Sequence, residues 1–127
     1  MKELTKAEEQ VMGYLWKLKE AFVKDILNEF PEPRPAYNTV STIVRILEKK
    51  GMVGYKAYGK THQYYPLVSA AGYRKGRFKD VLSKHFNNSY KKFASFFAHE
   101  EEVSISDLEE MKKIVEQEIE KRKAKNE

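Results

Sequence analysis

The chain has 127 residues, 41% of them apolar and 34% charged, with no cysteine and a formal net charge of +5. A chain of that size and composition forms one compact domain with room for an appendage. The composition excludes disulfides, thiolate metal centres and cysteine nucleophiles; with no apolar run near the ~18 residues of a membrane helix and no leader-like apolar start, a cytoplasmic setting without membrane insertion is expected.

The first element opens on Thr5-Lys6-Ala7-Glu8, a capping box in which Thr5 caps the helix and Glu8 reaches back. Val11, Met12, Leu15, Trp16 and Leu18 follow at helical spacing, which predicts a helix from about Lys6 to Leu18 with Trp16 as a core anchor. After a short stretch, Ala21-Phe22-Val23, a second helix carries Ile26, Leu27 and Phe30 on one side. Pro31-Glu32-Pro33-Arg34-Pro35 stops it, because proline cannot donate to the helix ladder.

A third helix is predicted from Tyr37 or Asn38 to Lys50, closed by Gly51. Val40, Ile43, Val44 and Leu47 recur at i, i+3, i+4 and i+7 and form its inner stripe. The other side carries Asn38, Ser41, Thr42, Arg45 and Lys49, with Glu48 as the one acid. From Val53 to Pro66 the period drops to two on either side of Gly59-Lys60, the pattern of a β-hairpin with a basic tip.

Beyond Pro66 the helical pattern returns. Ser69 is placed to cap one long helix carrying aromatic and aliphatic residues from Tyr73 to Phe97, interrupted by Glu100-Glu101-Glu102. Ser106-Asp107-Leu108-Glu109 reads as a second capping box, and Leu108, Met111, Val115 and Ile119 form the stripe of a last helix. The fold class is therefore mostly α with a small hairpin: a winged helix-turn-helix over residues 1–68, then a helical segment over 69–127.

The charge is not evenly spread. Arg34 to Lys60 holds six basic residues against one acid, and Ala70 to Ser95 holds seven against one. From Glu100 onward acids outnumber bases, ten to six. A winged helix lays its third helix in the major groove and its hairpin over the adjacent backbone. Short hydrogen-bonding side chains at Asn38, Ser41 and Thr42, with Arg45, suit base edges; Lys49, Lys56, Lys60 and Thr61 suit phosphates. Phe78, Leu82, Phe86, Phe93 and Phe97, with the stripe of the last helix, make more apolar surface than a protruding element leaves in water, so a second copy is expected to cover it.

Several segments, in order, resemble the penicillinase repressor family of BlaI/MecI/CopY type. They are Leu4-Thr5-Lys6-Ala7-Glu8 with Val11-Met12 and Leu15-Trp16, Asn38-Thr39-Val40-Ser41-Thr42-Ile43, Leu47-Glu48-Lys49-Lys50-Gly51, and Gln63-Tyr64-Tyr65-Pro66. The resemblance covers nearly the whole chain. It implies a homodimeric repressor that blocks a promoter, often of β-lactam resistance genes, and the two-fold symmetry of a dimer calls for a palindromic site. It puts Thr39 in the recognition helix and implies a membrane sensor protease as trigger of cleavage at an Asn-Phe bond. Here that bond falls at Phe96-Phe97, without the asparagine. The arginine that the family tends to carry at Ile46 stands instead at Arg45. The absence of cysteine excludes copper sensing through a C-terminal cysteine motif.

Two other readings compete with the repressor. A winged helix that binds only protein would more often show an apolar or acidic third-helix face. An enzyme would need a motif that is absent: His62, His85 and His99 lack metal-ligand spacing, and there is no phosphate loop or nucleophile signature, so no cofactor is expected.

Overall fold

The computed structural model describes residues 3–126. Its elements in order are α1 (Lys6–Leu18), β1 (Ala21–Phe22), α2 (Val23–Glu29), α3 (Tyr37–Lys49), β2 (Val53–Tyr58), β3 (Thr61–Pro66), α4 (Ala70–Phe86), α5 (Tyr90–Ala98) and α6 (Ile105–Lys125). The chain forms two compact units that divide after Phe78.

In the first unit the capping box at Thr5 is present in full. The Thr5 amide donates to Glu8 Oε1 at 2.9 Å, and the Glu8 amide donates to Thr5 Oγ1 at 3.2 Å. Val11, Met12 and Leu15 of α1, Ile26 of α2, and Val40, Val44 and Leu47 of α3 are fully shielded from water and form the core with Val53 and Tyr64. Trp16 packs on that core with its indole N–H donating to the Val68 carbonyl at 2.8 Å. The start of α4 docks beside it: Tyr73 is buried, 5.7 Å from the Trp16 ring, and its hydroxyl donates to Glu9 Oε2 at 3.0 Å. Burial, then the Glu9 hydrogen bond, push the Tyr73 phenol up to about 12.

The hairpin belongs to a three-stranded antiparallel sheet of order β1-β3-β2. Ala21 pairs with Tyr64 and Phe22 with Gln63, so β3 is the central strand. A two-residue strand has no periodicity of its own, which is why the sequence shows only the hairpin. The Phe22 amide donates to Asp25 Oδ2 at 2.9 Å, and this bond starts α2 directly from the strand.

The second unit corrects two expectations. The long aromatic helix is broken: α4 ends at Phe86, and Asn87 and Asn88 turn the chain with φ of 52° and 60°. Asparagine is one of the few non-glycine residues that tolerates the left-handed region, and Ser89 then caps α5. The break folds Phe86 against Phe93 and Phe96, with ring centroids 5.4 and 5.5 Å apart. The last helix begins two residues before the expected box, because Ser104 and Asp107 exchange the capping bonds, at 3.0 and 3.1 Å.

One buried ion pair closes the first unit. Glu8 is 4% exposed, and Lys50 Nζ at the end of α3 donates to its two oxygens at 2.7 and 3.1 Å and to the Glu3 carbonyl at 3.2 Å. Burial alone would raise the Glu8 pKa, but the Lys50 and Thr5 hydrogen bonds outweigh it and hold the carboxyl below its ordinary 4.5. The stabilisation from this group is therefore complete above pH 4.5 and is lost as pH falls through the folded value. Lys50→Met strands a buried carboxylate and should cost about 3 kcal/mol in urea unfolding. Glu8→Gln should flatten the acid limb of the stability–pH curve, and an unchanged limb would show that the acid sensitivity arises elsewhere.

Candidate nucleic-acid interface

Helix α3 buries one stripe and turns the opposite one outward. With Val40, Val44 and Leu47 inside, helical geometry puts Asn38, Thr42, Arg45 and Lys49 along the outer face. All four are exposed. The Thr42 hydroxyl donates to the Asn38 carbonyl at 2.9 Å, a back-bond to the helix that leaves an acceptor lone pair and the methyl group for another contact. Ser41 and Thr39 lie on opposite flanks of that face. Ser41 is half-buried toward the sheet, whereas Thr39 is exposed on the other side.

The wing completes the surface on the Ser41 side. The loop between β2 and β3 is the two-residue turn Gly59-Lys60, with Gly59 at φ 64° and Lys60 outside the left-handed region. Positive φ at the first loop position alone is the II′ pattern, whose twist matches that of the strands. Ser41 and Arg45 of α3, with Lys60 and Thr61 of the wing, line one polar notch of about 210 Å³. Arg45 and Lys49 also border a neighbouring groove with Tyr55, His62 and Tyr64. In that groove Tyr55 and His62 stack at 4.1 Å with nearly parallel rings. Burial, then Glu48, push the Tyr64 phenol up, so it stays neutral behind this surface.

Lys56 stands apart from that group. Strand alternation puts it on the sheet face away from Tyr55 and Tyr64. Its ammonium lies 3.6 Å from Glu20 and 5.9 Å from the Tyr65 ring centroid. By contrast, among the described residues no hydrogen bond or ion pair engages the side chains of Arg45, Lys49 or Lys60. These three cations are free to take an anion.

Residues outside the sequence-based candidates border the same surface. Tyr37 and Tyr58 are 52% and 56% exposed, and with Phe22, Lys24, Asp25 and Thr61 they line a mostly apolar cleft beside the notch. An exposed tyrosine in a wing or at a helix start has no periodic signature, and Phe22 and Lys24 are far from the wing in sequence. The expected dimerisation residues occupy the second unit and the end of the first. Leu82 is buried, Phe86, Phe93, Leu108 and Met111 are half-buried, and Phe78 and Phe97 are near 40% exposed. Val115 and Ile119 are 57% and 46% exposed, as is Ile114 at 64%.

The sequence model of the penicillinase repressor family matches residues 4–117. The methicillin resistance regulatory protein MecI of Mammaliicoccus sciuri is 28% identical over 114 residues, which are 89% of this chain and 93% of that protein. The penicillinase repressor of Bacillus licheniformis is 21% identical over 116 residues, 91% of each chain. The solution structure of the DNA binding domain of the repressor BlaI aligns at a TM-score of 0.49 and 25% identity, covering 57% of this chain and 94% of that one.

The wing turn can be tested apart from any ligand. Gly59→Ala forces a Cβ into the left-handed region and should cost about 1–2 kcal/mol in thermal unfolding. Gly13→Ala, in the interior of α1 with nothing within 4 Å of the added Cβ, should instead stabilise by about 0.5–1 kcal/mol. Equal effects at the two sites would mean that the turn is not held in its II′ geometry.

Proposed function

Because the chain belongs to the penicillinase repressor family, we propose that it represses transcription by binding operator DNA with α3 and the wing. The observation that carries this reading is the outer face of α3, polar and cationic and continuous with Lys60, where three cations have no internal partner. Asn38, Ser41, Thr42 and Arg45 read base edges; Lys49, Lys60 and Thr61 hold phosphates. Thr39 and Lys56 are outer members of the same contact surface, Lys56 weakened by its pairing with Glu20. The names of the relatives, methicillin resistance regulatory protein and penicillinase repressor, support resistance genes of the β-lactam type as the targets. Such a repressor works in the cytoplasm, where the operator is. Among the described residues no helix is long and apolar enough to cross a membrane.

The active form is a homodimer on a palindrome. The exposed aliphatic face of α6 supports this, since Ile114, Val115 and Ile119 would otherwise stand in water. A two-fold partner sets two reading helices one turn of DNA apart, or a multiple of it. A membrane sensor protease pathway belongs to the same proposal. The family's Asn-Phe bond is replaced by Phe96-Phe97, 60% and 37% exposed near the end of α5.

Titration on the DNA upstream of the protein's own gene, against scrambled DNA at two salt concentrations, tests the reading. Tight, salt-dependent binding confined to the natural sequence is expected. Equal weak binding to both DNAs would leave a winged helix that serves a protein partner. Lys60→Ala should weaken binding to all DNA alike and lower the salt slope by about 1, with a smaller effect from Lys56→Ala. Asn38→Ala or Thr42→Ala should cost about 1–3 kcal/mol on the operator and little on scrambled DNA. Equal loss on both would show that the base-reading face is elsewhere. Val115→Glu with Ile119→Glu should convert the dimer to monomer in sedimentation while the first unit keeps its fold.

A further inference from the structure

The cleft beside the polar notch is not used by the contacts above, and its chemistry differs from theirs. It is mostly apolar and is an open groove of about 440 Å³, a volume within the range of small-molecule sites. Phe22, Tyr37 and Tyr58 supply aromatic walls, with the Phe22 and Tyr58 rings edge to face at 6.0 Å. Tyr37 and Thr61 line both this cleft and the notch that holds Arg45 and Lys60, so the two cavities are neighbours with two walls in common. An apolar ring slot therefore lies beside a polar seat with two cations.

We infer that the two cavities form one binding site for a small aryl anion, its ring among Phe22, Tyr37 and Tyr58 and its carboxylate against Arg45 and Lys60. The charges set this orientation. Lys24 and Asp25 both border the cleft and offset one another, whereas Arg45 and Lys60 give the notch two cations with no acid among its lining residues, which draws the carboxylate there. Ring packing suits the aromatic walls, and guanidinium-to-carboxylate bonds are among the strongest polar contacts available there. The site itself is independent of the repressor reading, but its consequence rests on it. Arg45 and Lys60 are also proposed DNA contacts, so the anion and the operator would exclude each other. The small aryl anion would then act as an inducer.

The test uses the full chain without DNA. Phenylacetate, cyclohexylacetate and phenethyl alcohol are titrated by amide NMR. Phenylacetate should bind at about 1 mM or tighter and shift the amides of Phe22, Tyr37, Tyr58 and Thr61. Cyclohexylacetate, whose ring is saturated, should bind about 2–10-fold more weakly, and phenethyl alcohol, which lacks the charge, about tenfold more weakly. Tyr58→Ser should weaken phenylacetate by about tenfold. No shifts at those residues, or equal binding of the three probes, overturns the proposal. On operator DNA, phenylacetate should weaken binding in proportion to its saturation, and Tyr58→Ser should remove that effect. Undiminished DNA binding at saturating phenylacetate overturns the inducer role. A protein that shows the NMR shifts but no operator binding at all would sink the repressor reading and leave the site standing.

Discussion

Helix α3 must hide Val40, Val44 and Leu47 from water, and this constraint decides how the rest of the surface faces outward. Burying that many aliphatic side chains contributes several kcal/mol, far more than any preference of the polar residues for one orientation. The opposite face is then set by the helix repeat alone. Asn38, Thr42, Arg45 and Lys49 are presented together because they share the face opposite that stripe, with Ile46 exposed on its Thr39 flank. The sheet is tied to the same core through Val53 and Tyr64. Lys60 and Thr61 lie beside Ser41 and Arg45 in one notch, while Tyr64 further along β3 is held in the core.

Polar ties hold the seams of this unit. Glu8 and Lys50 join the start of α1 to the end of α3, Trp16 joins α1 to the segment before α4, and Tyr73 joins α4 to Glu9. Among the described residues, no buried side-chain polar atom is left without a partner. Each tie spans more than forty residues of sequence, so each resists a different opening of the unit. Arg45, Lys49 and Lys60 take part in no such tie and stand at the surface. An unpaired surface cation costs little in water but gains strongly when phosphate displaces its hydration and counterions.

The hairpin has two faces with different chemistry. Tyr55, His62 and Tyr64 face α3 and shape the groove beside Arg45 and Lys49. Lys56 and Tyr65 lie on the other side with Glu20. Counting basic residues along the wing does not distinguish these faces, whereas the pleat does. The same geometry brings Phe22, at the start of α2, within 6.0 Å of Tyr58 at the wing tip.

Local patterns were enough for the first three helices, the Thr5 capping box, the inner stripe of α3 and the Gly59-Lys60 turn. Each depends on spacings of four residues or fewer, where side-chain periodicity and glycine conformational freedom act directly. The family resemblance was legible for the same reason, since its motifs lie on those elements. What the sequence could not supply came from contacts between distant residues. The strand at Ala21–Phe22 exists only because Tyr64 and Gln63 lie beside it. The break at Asn87-Asn88 is stabilised by rings that meet only after the chain has turned. The start of α6 was settled between two similar caps, Ser104 with Asp107 and Ser106 with Glu109, of which the first pair exchanges the bonds. The inner stripes of α1, α2 and α3 and the polar face of α3 could be read from the sequence, because these follow from periodicity within one element. The pairing of Lys56 with Glu20, and the placing of Arg45, Lys60 and Tyr58 around neighbouring cavities, came from the tertiary fold, because strand pairing and packing set distances that no local spacing encodes.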